Sequence, residues 1–261
     1  MEDSTIEWTH HTFNPWIGCS KISAGCRFCY AEARDRRFGF DLWGPDKDRA
    51  LMRPGYWREP LRWDLRAEKT GSRERVFCGS LCDVFDEAAP SEERLRLWAL
   101  IRATPNLDWL MLTKRPENIA SMLPPDWGDG YPNVWLGTTV ENAEMAEKRI
   151  PILRALPATV RFLSIEPLLG PIDDLELEGI DWVIAGGESG PGARPMKPEW
   201  VRSIRDRCLR SDVAFFFKQW GTFGLSDDGT ALVRLGKKKA GRELDGRTWD
   251  EFPIRRRGRR P

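Results

Sequence analysis

Three cysteines lie within eleven residues near the start of the chain, at Cys19, Cys26 and Cys29, with the spacing C-x6-C-x2-C. They sit on a segment that contains serine and glycine, so their thiolates can converge on one soft metal centre. Thiolates favour zinc or an iron–sulfur cluster, and a structural zinc site normally needs four protein ligands. A 4Fe–4S cluster bound by three cysteines leaves one iron open to another ligand. We therefore predict a 4Fe–4S cluster on these three residues.

Two other interpretations of the cysteines stay open from the sequence. Reduced cysteine is often a core residue, although x6 and x2 spacings on a glycine-containing loop do not match a core face. His10 or His11, the only histidines of the chain, could instead complete a zinc site. A disulfide framework is not expected, because six cysteines among 261 residues are few and the first residues do not resemble a signal peptide.

Short apolar runs alternate with helical segments along the rest of the chain. The runs predict seven strands, at residues 14–18, 75–80, 109–113, 134–139, 160–165, 182–186 and 214–217. Helices are predicted at residues 30–37, from Ser91 as an N-cap, at 142–156 and at 198–209. Continuously apolar strands are typical of a parallel sheet buried on both faces. This pattern predicts an α/β fold, a (β/α) barrel or partial barrel of mostly parallel strands, with the cysteine loop after strand one.

The chain length fits one such domain. We predict a barrel domain over residues 1–235, with an irregular insertion at 39–74, and a basic C-terminal extension at 236–261. An eighth strand is missing or is replaced by the C-terminal segment. No run approaches the roughly 18 apolar residues of a membrane span, and we expect a cytoplasmic enzyme.

Each predicted strand ends in polar or glycine residues, which in a barrel line one mouth. Lys114 and Lys218 end apolar strands and need acidic partners there, for which Glu166 and Glu188 are the natural candidates. These four residues are candidate catalytic groups, and a structural ion-pair network is the alternative. Cys78 is a candidate hydrogen-atom donor, unless it is simply a buried thiol.

Basic charge is local, since the net charge is only +1. Lysines occupy 237–239 and five of the six residues at 255–260 are arginine, a pattern that neutralises phosphates. We expect DNA or RNA to bind through this tail. The thirteen tryptophans are core residues or stacking surfaces for bases.

The run Cys26-Arg27-Phe28-Cys29 resembles the C-x-aromatic-C half of the radical S-adenosylmethionine (SAM) signature, although the first spacing is six residues rather than three. A closer resemblance, to a phage-associated family that itself resembles radical SAM proteins, rests on the runs at residues 14–19, 112–116, 186–195 and 217–221.

This resemblance implies a barrel of the radical SAM type and a cluster whose open iron binds the amino and carboxylate groups of SAM. Phe28 is expected near the adenine. Further SAM contacts are expected from strand-end residues: Gly79, Ser80, Thr138, Ser164, Gly186 and Gly187. An electron donor such as flavodoxin or ferredoxin would reduce the cluster, and SAM cleavage would start radical chemistry on nucleic acid or a nucleobase, as modification or repair. The alternative function is a zinc-stapled, non-enzymatic nucleic-acid-binding protein.

Overall fold

The computed structural model describes residues 1–226 and 229–254. Its strands are β1 (His11–Phe13), β2 (Trp16–Ile17), β3 (Ala50–Leu51), β4 (Glu74–Cys78), β5 (Leu107–Thr113), β6 (Val134–Thr139), β7 (Val160–Ile165), β8 (Trp182–Gly186), β9 (Ala214–Gln219), β10 (Phe223–Leu225) and β11 (Leu232–Arg234). Its helices are α1 (Tyr30–Arg37), α2 (Glu59–Thr70), α3 (Ser91–Arg102), α4 (Pro116–Met122), α5 (Ala143–Ala155), α6 (Pro198–Arg210) and α7 (Lys237–Ala240).

Seven strands form one parallel sheet in the order β1-β4-β5-β6-β7-β8-β9. Each strand pairs with the next one in the chain, so every connection crosses over in the same direction. The crossover helices therefore cover one face, and the sheet curves into a half-barrel. The predicted α/β partial barrel of parallel strands is confirmed.

The two faces of the sheet carry different cores. Alternate strand residues such as Val76, Trp109 and Leu136 pack with the helices in one large cluster. The opposite face, which we call the concave face, carries a smaller and largely aromatic cluster. Its members are Trp8, Phe77, Leu110, Trp135, Val160, Phe162, Trp182, Ile184 and Phe216. The interior of the half-barrel is thus filled by side chains.

The C-terminal segment covers the edge of the sheet at β9. The Phe217 N–H donates to the Trp249 carbonyl at 2.9 Å, and the Glu251 N–H donates to the Phe215 carbonyl at 3.2 Å. Phe252 then packs on Trp182 in the concave face. Of the two outcomes predicted for an eighth strand, replacement by the C-terminal segment is the one observed.

Several predicted boundaries are wrong. The first strand of the seven-stranded sheet is β1, whereas the predicted strand at 14–18 contains only the short β2, which follows Pro15 and pairs with β3. The insertion at 39–74 is not irregular throughout, since α2 runs from Glu59 to Thr70 and ends at Gly71 in the left-handed conformation (φ 64°). Ser91 is the first helical residue of α3 rather than its N-cap, which is Pro90. The arginines at 255–260 lie outside the described residues.

Over the described part of the chain, no helix combines the length and the apolar character that crossing a membrane requires.

Candidate functional site

The cysteine loop, residues 19–29, lies at the carboxyl edge of the sheet. Cys19 follows β2, Cys26 ends a 3-10 turn at Ala24–Cys26, and Cys29 is the N-cap of α1. Gly18 bridges to Cys82, just beyond the end of β4. The loop therefore begins beside the neighbouring strand end, as the prediction of a cysteine loop after strand one requires.

Glu141, just past β6, holds the middle of the loop. Its carboxylate accepts a hydrogen bond from the Gly25 N–H at 3.1 Å and pairs with Arg149 of α5 at 2.9 Å. Burial alone would raise the pKa of Glu141; the hydrogen bond from Ser23 and the charge of Arg149 hold it below its usual value. Glu141 is thus an ionised anchor for the turn that precedes Cys26.

Two buried arginines hold the first part of the loop at Ser20. Arg115, after β5, donates to the Ser20 carbonyl at 2.8 Å and to Asp83 at 3.2 Å. Arg49 donates to the Ser20 hydroxyl at 2.9 Å and pairs with Asp86 at 2.7 Å. Each guanidinium has a carboxylate partner, so burying its charge is compensated.

Arg194 holds the loop from the opposite side of the mouth. It is fixed by Glu188, which accepts from the Arg194 N–H at 2.9 Å and from its guanidinium Nε at 2.8 Å. The same guanidinium donates to the Ala24 carbonyl at 3.0 Å and lies over the Phe28 ring. Glu188 was expected beside a lysine; the structure pairs it with Arg194 instead.

Phe28 lies against the loop that follows β8. A Cβ on Gly192 would lie 2.6 Å from the Phe28 ring, so only glycine allows this contact. The ring remains 36% exposed. Part of Phe28 therefore remains open to solvent at the mouth, where the Arg27 and Arg194 guanidinium groups lie over its ring.

All six cysteines are free thiols, and the three of the loop are partly exposed. Burial raises the pKa of the Cys19 thiol to about 12, and the Arg115 guanidinium, 3.7 Å from Cys19 Sγ, acts against that rise. Cys78 and Cys208 are fully buried. The loop cysteines, like Cys82 beside them, are thus more exposed than these two core thiols.

No preformed site for a single metal ion is found in the described residues. Within residues 1–226 and 229–254, no three His, Cys, Asp or Glu side chains converge closely enough to hold one metal ion. The chemistry of the three loop thiols is that of a 4Fe–4S donor set, in which each thiolate binds a different iron.

The two histidines lie at the other end of β1. His10 Nδ1 accepts from the Arg75 N–H at 2.8 Å, and His11 Nε2 lies 2.9 Å from Glu74. Both contacts are at the amino-terminal ends of β1 and β4, whereas the cysteine loop lies at the carboxyl ends. Neither histidine is placed to complete a zinc site with the cysteines.

A ring of polar groups lies above the aromatic filling of the concave face. Lys218 of β9 pairs with Glu166 at 2.7 Å, and the Ser164 hydroxyl donates to Glu166 at 3.2 Å. Lys114 donates to the Thr139 hydroxyl at 3.3 Å. The structure therefore brings together four of the predicted residues at one mouth.

Phe162 forms part of the floor under this ring. Its aromatic atoms approach to 2.4 Å of the point where a Cβ on Gly137 would lie, so the ring fills the space that a side chain on β6 would take. Phe162 is fully buried among the other concave-face residues. The mouth therefore combines a dry aromatic floor with charged groups above it, a usual composition for a ligand site.

Two predicted site residues face the wrong side of the sheet. Thr138 is fully buried, and its hydroxyl donates to the Thr113 carbonyl at 3.0 Å. Cys78 belongs to the helix-side cluster. Because successive strand residues point to opposite faces, the mouth is lined at these strand ends by Thr139 and Gly79.

The residues after β4 and β8 that were predicted to contact SAM also contact other parts of the chain. Gly79 has φ +94°, and the Ser80 hydroxyl exchanges hydrogen bonds with the Asn14 amide at 3.0 and 3.3 Å. Gly186 lies beside Glu166 at the mouth, whereas a Cβ on Gly187 would lie 1.9 Å from the Trp220 carbonyl. Glycine at 187 is thus required by the neighbouring chain segment.

Sequence reasoning missed the residues that hold the site together: Asn14, Arg49, Arg115, Thr139 and Arg194. Arg115 and Arg194 lie within the quoted motif runs at 112–116 and 186–195, so that signal was present. Arg49 lies in the insertion and had no such signal.

Comparison with known proteins adds a family and two structures. The family model described as a protein of unknown function (DUF5131) matches residues 3–253. No curated protein shows significant similarity. The chain is similar to a spore photoproduct lyase double mutant with bound AdoMet and dinucleoside spore photoproduct, with 9% identity, a TM-score of 0.48 and coverage of 77% of this chain and 62% of that chain. The chain is also similar to a second spore photoproduct lyase mutant, with 10% identity, a TM-score of 0.47 and coverage of 87% of this chain and 68% of that chain. The chain therefore spans about three fifths of the length of the first of these proteins, and the likeness concerns the fold.

Proposed function

The chain belongs to the DUF5131 family, and we propose that it is a radical SAM-like iron–sulfur enzyme that cleaves SAM reductively. The observation that supports this proposal is the cysteine loop, whose backbone is anchored at Ser20, Gly25 and Ala24 by residues that follow β5, β6 and β8. These anchors hold the loop beside the polar mouth of a half-barrel. A loop fastened at so many points suits a prosthetic group that must face a ligand site.

Cys19, Cys26 and Cys29 would hold a 4Fe–4S cluster, with no fourth protein ligand. When bound, such a cluster supplies SAM with one electron, which the cluster receives from a small donor such as flavodoxin or ferredoxin. SAM cleavage then yields methionine and a 5′-deoxyadenosyl radical, which takes a hydrogen atom from the substrate. The protein's own part is to bind, to orient and to exclude water.

The residues of the mouth divide these tasks. Phe28, which is partly exposed at the mouth, would pack near the adenine. Lys114, Lys218 and Glu166 supply the charged groups that would bind the amino and carboxylate groups of SAM. The floor around Phe162 keeps water from the radical chemistry.

We further propose a nucleobase within nucleic acid as the substrate, consistent with the resemblance to a phage-associated family. The lysines at 237–239 are exposed, and Arg234 of the neighbouring β11 donates to the Pro191 carbonyl at 2.8 Å in the loop after β8. Basic residues therefore adjoin the loop that packs on Phe28.

Calorimetric titration with SAM tests the proposal. Protein reconstituted with iron and sulfide without oxygen should bind SAM, and a Cys26→Ala variant treated in the same way should bind it far more weakly, because the open iron supplies the contacts to the amino acid end. Cys208→Ala is the matched control, since Cys208 is a buried core thiol. Equal SAM affinity in the Cys26→Ala variant and the wild type would refute the proposed mechanism.

A further inference from the structure

The outward surface of α1 carries arginine and aromatic side chains without exposed acids. Both acidic residues of the helix are buried, Glu32 with 7% and Asp35 with 3% of its surface exposed. Glu32 pairs with Lys21 at 2.5 Å and with Arg36 at 2.8 Å, and Asp35 accepts from the Leu42 N–H at 3.0 Å. The helix therefore presents positive charge to solvent.

Arg34 and Arg37 carry most of this unneutralised charge. Both are exposed, and among the ion pairs of the described residues neither has a carboxylate partner. The Arg34 guanidinium lies over the Phe38 ring, 5.3 Å from its centroid. A guanidinium stacked on an exposed ring is pre-positioned for an anion beside an aromatic ligand.

Four aromatic residues on this surface are unusually exposed for their size. Their exposed fractions are 36% for Phe28, 59% for Tyr30, 61% for Phe38 and 60% for Phe40. Exposed aromatic side chains of this number in one short segment indicate a binding surface. We call the set Arg27, Phe28, Tyr30, Arg34, Arg37, Phe38 and Phe40 the α1 surface.

The α1 surface leads away from the mouth. Phe28 lies against Gly192 at the mouth, and the Tyr30 hydroxyl donates to the Ser80 carbonyl, at the end of β4, at 2.5 Å. The helix then runs for eight residues, about 12 Å, to Phe38. Its length favours a chain of several nucleotides over a single small ligand.

Exposed arginine and aromatic side chains in one segment fit unpaired nucleotides, because rings stack on bases while guanidinium groups neutralise phosphates. In a duplex both faces of each base are covered by neighbouring bases, so these rings could not stack on them. We infer that the α1 surface binds single-stranded nucleic acid and guides it to the mouth. This inference names the substrate class of the proposed enzyme, and so rests on the proposed function for what happens to the strand at the mouth.

Fluorescence anisotropy with a labelled single-stranded 20-nucleotide DNA, its RNA counterpart and the matching duplex tests the inference on reconstituted protein without SAM. We expect single strands to bind more tightly than duplex. The double variant Phe38→Ala/Phe40→Ala should weaken single-strand binding about tenfold or more, since one stacked base contributes about that factor. Arg34→Gln/Arg37→Gln should reduce the slope of log affinity against log salt by about 1.4, or 0.7 for each phosphate contact.

Leu209→Ala/Arg210→Gln is the matched control, because both residues are exposed at the end of α6 on the helix side of the sheet. It should leave affinity and salt slope unchanged. Unchanged single-strand binding in both α1 variants would overturn the inference. The inference would also be overturned if these variants kept their nucleic-acid binding but their cluster was reduced more slowly by a small acidic flavoprotein. The α1 surface would then be a protein-docking site. Neither result would alter the SAM titration, which depends on the cysteines, so failure of this inference and failure of the proposed function can be told apart.

Discussion

The Glu141 carboxylate accepts a hydrogen bond from the Gly25 N–H at 3.1 Å, which ties the residue after β6 to the turn before Cys26. The same carboxylate pairs with Arg149 at 2.9 Å in the interior. One side chain therefore contacts both the cysteine loop and α5. Arg115 and Arg194 make comparable contacts at Ser20 and Ala24.

Glu141→Gln should destabilise both the protein and its cluster. The change leaves the buried Arg149 without its carboxylate, which we expect to lower the free energy of unfolding by about 3 kcal/mol. Urea unfolding and iron content after reconstitution are the measurements. Glu144→Gln is the control, because Glu144 forms only an exposed pair with Lys148 and should cost less than about 0.5 kcal/mol. A Glu141→Gln protein as stable and as rich in iron as the wild type would show that the loop does not depend on this anchor.

The motif residues were found from sequence more readily than the contacts that hold them. The cysteine spacing and the strand-end lysines are visible as residue types at fixed intervals. Glu141 contacts Gly25, which lies 116 positions earlier in the chain, and Arg115 contacts Ser20, which lies 95 positions earlier. A single sequence gives no means of pairing residues so distant. The α2 helix was hidden by the arginines and prolines of its segment, although Pro60 in the first turn and Gly71 after the end are ordinary helix-boundary signals.

Which face a strand residue occupies depends on a register that the sequence leaves ambiguous by one position. In a continuously apolar run such as residues 134–137, polar and apolar residues do not alternate, so Thr138 and Thr139 look equivalent. In the structure Gly137 faces Phe162 and Thr139 faces Lys114, both on the concave face, whereas Thr138 faces the helices.

This separation predicts opposite effects for two adjacent substitutions. Thr139→Val should weaken SAM binding with little loss of stability, because it removes the hydroxyl that orients Lys114 at the mouth. Thr138→Val should cost about 1 kcal/mol of stability through its lost hydrogen bond and leave SAM affinity unchanged. Calorimetric titration and thermal unfolding of the two variants check this. Similar SAM affinities in both would mean that the concave face at β6 is not part of the site.

The pair of Lys218 and Glu166 can be tested for a role beyond structure. Lys218→Met should reduce stability, because it leaves the Glu166 carboxylate, 12% exposed, without its cation. Adding Glu166→Gln removes that unpaired charge and should restore stability. If the pair serves only the fold, the double variant should also recover SAM cleavage; we expect cleavage to remain lost. Recovery of both properties would assign the pair to the fold alone.

Asp245 joins the C-terminal segment to α6, and low pH should remove the stability that its carboxylate gives to the folded protein. Hydrogen bonds from Arg202 and then from Arg205 lower the pKa of Asp245 below its usual value of 3.8. A lowered folded-state pKa means that the carboxylate stabilises the protein at pH values above that usual value, and that this stabilisation is lost as the pH falls through the folded pKa. Asp245→Asn should therefore cost about 1 kcal/mol near neutral pH, and this cost should disappear as the pH falls through the folded-state pKa. Urea unfolding across this range, with the exposed Asp174→Asn as control, measures it; a pH-independent difference would contradict this role for Asp245.

Metal and sulfide analysis of protein purified without oxygen tests whether the three loop cysteines hold a 4Fe–4S cluster. We expect about four iron and four sulfide per chain and absorbance at about 400 nm. Alanine at Cys19, Cys26 or Cys29 should abolish that absorbance in a folded protein, whereas Cys82→Ala, beside the loop at the end of β4, should retain it. Stoichiometric zinc without sulfide, or an iron content that survives loss of any loop cysteine, would contradict the account.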